Sequence, residues 1–171
     1  FSKDFAQVDS LEADSTAFDL GSRTLDAYQT DSGLIIQVTE SSISLISASQ
    51  NSRHSLEDIL PMRDQTAENA FCGNDVVALT TTSSRSASQI HTITINGMQT
   101  SLVRSWNIPG EVTCGSIFNI AGNKLVIAAS AVDGISWISV FSMDGKVIVS
   151  QVLDRKTSNY EHSLQRLKLP G

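Results

Sequence analysis

Two turn signals recur in this chain at nearly one spacing, and they constrain its fold more than any other feature. Gly73-Asn74 and Gly122-Asn123 lie 49 residues apart, and each opens an apolar run, Val76-Val77-Ala78-Leu79 and Leu125-Val126-Ile127-Ala128. Asn96-Gly97 and Asp144-Gly145 lie 48 residues apart. Gly-Asn ahead of an apolar run reads as a hairpin connection. Asn-Gly and Asp-Gly suit a two-residue type I′ turn, where both central residues take positive φ. A repeat of about 48 residues therefore organises the chain.

The segments between these turns read as strands. One unit holds Glu68–Cys72, Val76–Thr82, Ser88–Ile95 and Gln99–Asn107, and the next holds Val112–Ile120, Lys124–Val132, Ile135–Met143 and Lys146–Leu153. A less regular unit precedes them, with Thr24–Thr30, Leu34–Thr39, Ile43–Ala48 and a weak strand near Leu56–Leu60. Residues 55–60 also read as one helical turn, with Ser55 as cap and Asp58 completing a capping box. Asp31-Ser32-Gly33 takes the place of the later Gly-Asn turns. Gln37 and Thr39 face away from Ile36 and Val38, whereas Lys146-Val147-Ile148-Val149 is apolar on both faces and reads as a covered strand. No segment sustains a helical period.

Four-stranded antiparallel units at this spacing predict an all-β partial β-propeller of about three to four blades. The expected blades are 17–61, 66–108 and 111–154, with terminal segments 1–16 and 155–171. The alternative is a two-layer β-sandwich with Greek-key connections. Three or four blades leave open apolar edges. A homodimer through those edges, or closure by the terminal segments, is expected to cover them. Phe1 in first place suggests a processed or excised chain.

Composition narrows the function. A formal net charge of −6 argues against a nucleic-acid-binding face. The charge is uneven: Asp4, Asp9, Glu12, Asp14 and Asp19 crowd the start, while Arg155, Lys156, Arg166 and Lys168 crowd the end. Two cysteines, Cys72 and Cys114, make no disulfide framework, although a single bridge between them stays open as an alternative. With no Asn-X-Ser/Thr site, this favours a reducing compartment, cytosol or nucleus. No apolar run reaches the length of a membrane span, and no signal peptide is visible.

Catalytic and ligand-binding patterns are wanting. His54, His91 and His162 show no metal-ligand spacing, and there is no Gly-X-Ser-X-Gly elbow, phosphate-cradling glycine loop or calcium loop. Glu57-Asp58 are read as solvated, Asp133 and Asp144 as turn formers, Gly115-Ser116 as packing, and His91 as a blade-face histidine with one hydrogen bond. Trp137, in phase with Ile135 and Phe141, reads as core. Trp106, near Pro109-Gly110, reads as a rim aromatic and is the one partner-binding candidate. Residues 48–66 and 83–88 are candidate recognition loops.

The stretch Gly33-Leu34-Ile35-Ile36-Gln37-Val38-Thr39-Glu40-Ser41-Ser42-Ile43-Ser44-Leu45-Ile46 resembles a strand–turn–strand motif of a family of large multi-propeller scaffolds. That family comprises the damage-specific DNA-binding protein large subunit, the cleavage and polyadenylation specificity factor large subunit and the splicing factor 3b propeller subunit. Gly21-Ser22-Arg23-Thr24-Leu25-Asp26-Ala27 is similar to the strand entering that blade. The motif is sharp over about 25 residues and architectural over the rest. It has no catalytic group, so no site transfers with it. The resemblance implies an N-terminal propeller segment of a non-catalytic nuclear adaptor, although a cytoplasmic location also fits. Such an adaptor serves ubiquitin-ligase, DNA-repair or RNA-processing complexes. It binds other proteins, needs no cofactor, contacts nucleic acid indirectly if at all, and uses no membrane. The competing readings are a propeller-face enzyme acting on carbohydrate and nucleic-acid binding through the basic C-terminal tail.

Overall fold

In the computed structural model the described residues are 18, 21–60, 66–84 and 87–153. They form three four-stranded sheets. The first holds β1 (Thr24–Gln29), β2 (Ile35–Thr39), β3 (Ser42–Ile46) and β4 (Asn51–Ser55), followed by one helical turn, α1 (Leu56–Ile59). The second holds β5 (Ala67–Cys72), β6 (Val76–Ser84), β7 (Ala87–Asn96) and β8 (Gln99–Pro109). The third holds β9 (Glu111–Ile120), β10 (Asn123–Val132), β11 (Ile135–Ser142) and β12 (Val147–Leu153). Within each sheet the strands follow chain order and pair antiparallel. The opening strands are neighbours, β1 beside β5 and β5 beside β9. Among the described residues no strand crosses from one sheet to another, so their wiring is not Greek-key and the architecture is a partial β-propeller.

Alternation on the strands decides which side chains meet. On β2, Ile36 and Val38 face the second sheet with Ile43 and Leu45 of β3, and Gln37 and Thr39 point the other way. On β6 the apolar run is continuous because both faces are covered. Val77 and Leu79 join Ile93 and Ile95 against the first sheet. Val76 and Ala78 join Ile90 and Ile108 against Val112, Ile117, Val126, Ala128 and Phe141 of the third. Each such valine, leucine or isoleucine contributes about 1.5–3 kcal/mol on full burial.

The structure corrects three local expectations. The fourth strand of the first sheet is Asn51–Ser55, not Leu56–Leu60; the later apolar residues form α1, whose Leu56 is buried. Ser55 does cap α1, but its hydroxyl accepts from the Glu57 backbone N–H at 3.3 Å rather than from Asp58. The turns are also redistributed. Asn96 pairs with Gln99, which leaves Gly97-Met98 as the loop, with the glycine first (φ +58°) as a II′ turn requires. At Asp144-Gly145, the Gly145 N–H donates to Ser142 O and the Ser142 N–H to Lys146 O, both at 3.0 Å. This is a type I turn followed by a left-handed glycine. Type I′ geometry occurs instead at Ala121-Gly122 and Asp133-Gly134, where both residues have positive φ.

Gly115, on β9, is a packing glycine whose side of the strand is filled by the Phe71 ring. A Cβ there would lie 2.5 Å from Phe71 Cε2 and 2.8 Å from the Ile127 carbonyl oxygen. The expected outcome for Gly115→Ala is a loss of about 1–3 kcal/mol from overpacking, measured as a lower urea midpoint at unchanged slope.

Candidate interaction surface

Polar contacts between sheets recur at equivalent turns. In the turn before β6, the Asn74 amide donates to the Asp31 carboxylate at 2.5 Å and its oxygen accepts from the Asp31 N–H at 3.1 Å. In the same turn Asp75 pairs with Lys124 of the third sheet. The turns before β8 and β12 each offer a backbone carbonyl to the sheet before. Met98 O accepts from Ser52 Oγ at 3.0 Å and lies 2.9 Å from His54 Nε2. Met143 O accepts from Thr92 Oγ1 at 2.8 Å. The repeated turn signals thus mark the joints between neighbouring sheets.

Few groups outside these joints have catalytic character. His91 sits on β7, buried, with Nε2 3.0 Å from Thr81 Oγ1 and Nδ1 2.8 Å from Ser105 Oγ. It has two hydroxyl partners, one more than its sequence position suggests. Burial lowers its pKa to about 4, so the ring is neutral at pH 7. Cys72 and Cys114 are free thiols. Burial, and then the Asp26 carboxylate, push the Cys72 thiol up, which favours its protonated form. Asp26 meanwhile accepts the Cys72 backbone N–H at 2.8 Å. These two residues line a cavity of about 350 Å³ beside the opening strands with Tyr28, Phe71, Gly115 and Ser116. Asp144 is held below the usual carboxylate range by the Ser142 hydroxyl, as befits a turn. Among the described residues no three histidine, cysteine or carboxylate side chains converge to hold a metal, and no helix is long and apolar enough to cross a membrane.

The apolar surface is a different matter. In the third sheet Leu125, Ile127, Ile138 and Val140 share one face, the side away from the second sheet. Leu125, Ile127 and Ile138 stand 49, 49 and 48 residues after Val76, Ala78 and Ile90, which the third sheet buries. None of the four belongs to either core among the described residues. On β12, Val147, Ile148, Val149 and Val152 are 51–56% exposed. The strand expected to be covered on both sides is therefore open. Ile148 also lines a groove of about 660 Å³ with Val103, Ile120, Leu125 and Met143.

The sequence candidates fall as follows. Trp106 is partly buried between sheets rather than projecting from a rim: its ring lies 5.4 Å from that of Phe141, and it fills the space where Gly145 has no side chain. Its Nε1 atom is buried with no hydrogen-bond partner among the described residues. Trp137 is half-buried on β11, in phase with Phe141. Residues 48–66 hold β4 and α1, and 61–65 lie outside the described residues, as do 85–86 of the second loop. The acidic start, the basic end with Arg155, Lys156, Arg166 and Lys168, and His162 lie outside them too, as does closure by the terminal segments. Open apolar edges are what three or four blades predict; the particular residues of this face follow from the repeat offset from Val76, Ala78 and Ile90.

Radially adjoining meander sheets joined at their turns, with an apolar face that joins neither core among the described residues, define a propeller-type scaffold module. The chain belongs to the RSE1/DDB1/CPSF1 second beta-propeller family, whose model matches residues 6–170. This is the multi-propeller family that the Gly33–Ile46 stretch resembles. No match was found among curated proteins.

The neutral His91 makes stability pH-dependent. The unfolded chain takes up a proton near pH 6.5, whereas the folded chain resists until about pH 4. Its contribution is therefore complete above pH 6.5 and falls as pH drops towards 4, by about 1.4 kcal/mol per unit. His91→Gln retains hydrogen-bonding atoms and removes the titration. Its urea midpoint is expected to change less than the parent's between pH 6.5 and 4.

Proposed function

We propose that this chain is a protein-binding segment of a large nuclear adaptor serving ubiquitin-ligase, DNA-repair or RNA-processing complexes. The observation that supports this reading best is the half-buried apolar face of Leu125, Ile127, Ile138 and Val140, which joins neither core among the described residues and stands at positions that the second sheet uses for packing against its neighbour. A surface of this kind binds through area and shape. We assign one partial propeller with blades 17–61, 66–108 and 111–154 and ends 1–16 and 155–171, non-catalytic, with open blade edges available to a second copy. Trp106 stays the proposed contact residue, acting where its partly buried ring reaches the surface between the second and third sheets.

The experiment is affinity capture on the immobilised chain from nuclear extract, with bound proteins identified by mass spectrometry. A stoichiometric component of one of those complexes is expected. Ile127→Lys should reduce its recovery tenfold or more at unchanged thermal unfolding. Trp106→Phe, which keeps an aromatic ring and removes the indole N–H, should reduce recovery less. Recovery abolished by nuclease, or turnover of a carbohydrate, would overturn the reading.

A further inference from the structure

The edge of the third sheet differs from the other two. β4 and β8, the outer strands of the first and second sheets, each carry an arginine, Arg53 and Arg104, and β8 ends on Pro109. Charge and proline are the usual means by which a sheet edge refuses further strands. β12 reads Val-Ile-Val-Ser-Gln-Val-Leu and has neither. It pairs only with β11, so its far edge offers unpaired backbone N–H and C=O groups among the described residues. Among the described residues, four of the six exposed large hydrophobic side chains lie on this one strand. The register shift at Val140/Phe141 places a bulge at Ile148, which leaves Val149–Leu153 as regular strand.

We propose that the β12 edge pairs antiparallel with the β12 edge of a second copy, about a two-fold axis at Gln151. This deepens the reading that open blade edges accept a partner, and rests on it. The pairing sets Val149 opposite the second copy's Leu153, Ser150 opposite its Val152, and Gln151 opposite its Gln151. Directly opposed residues share a face, so over Val149–Leu153 the central pair of amides is flanked by mixed Ser150–Val152 pairs and then by apolar Val149–Leu153 pairs, and no charge is opposed within the segment. The segment is thus self-complementary, as an isologous interface requires. A second copy needs nothing that the strand does not already hold, and the two third sheets become one continuous sheet of eight strands.

The test uses the whole 171-residue chain. Sedimentation should show a concentration-dependent dimer. Gln151→Cys should form a covalent dimer on mild oxidation, because residues opposed at the two-fold lie within disulfide reach. Gln151→Lys puts like charges in direct opposition and should weaken association at least tenfold, with partial recovery at high salt. Ile120→Lys, at an exposed site off β12, should associate like the parent. A monomer at all concentrations, or a dimer that Ile120→Lys dissociates and Gln151→Lys does not, would overturn the proposal. Heterologous capture that persists with a monomeric chain would leave the adaptor reading standing.

Discussion

Face-to-face burial between successive sheets holds this structure together. A four-stranded meander has two faces and can cover neither by itself. The second sheet shows the consequence most fully: alternate residues of β6 enter different cores, Val77 and Leu79 with the first sheet, Val76 and Ala78 with the third. Every other feature follows from the need to keep these faces in register. The Asp31–Asn74 and Asp75–Lys124 contacts lock neighbouring turns. The carbonyls of Met98 and Met143 tie the outer parts of the sheets to the sheet before. The Lys124–Asp75 pair is half-exposed and contributes at most about 1 kcal/mol, so these bonds set alignment while apolar area supplies the stability.

The proposed function rests on where that burial stops. The second sheet has partners on both sides, and the third has one on a single side among the described residues. Its remaining face repeats the chemistry of a buried one.

Much of the architecture was legible because turn residues punctuate it. Gly73-Asn74 and Gly122-Asn123 mark the same joint in successive sheets, and the apolar runs behind them mark the same strand. β4 was missed because Asn51–Ser55 contains no apolar residue; its strand state comes from pairing with β3, which no local pattern records. The helical turn competed for the neighbouring apolar residues and took them. Turn type was misread for a related reason: an Asn-Gly pair shifts by one position when Asn96 is drawn into a strand pair with Gln99. Trp106 reads as a rim residue because it lies near the strand-ending Pro109-Gly110. Its seat exists only because Gly145, 39 residues on, lacks a side chain. The exposure of β12 had no local signal, since an apolar strand reads alike whether or not a neighbour covers it.

The chain-order wiring of the sheets has a consequence for how the molecule yields under stress. Neither core contains side chains from both the first and the third sheet among the described residues. Cooperativity carried by these two cores passes through the second sheet. Disorder introduced at one junction would be contained on its own side, so the assembly behaves as a short row of coupled units whose weakest joint fails first.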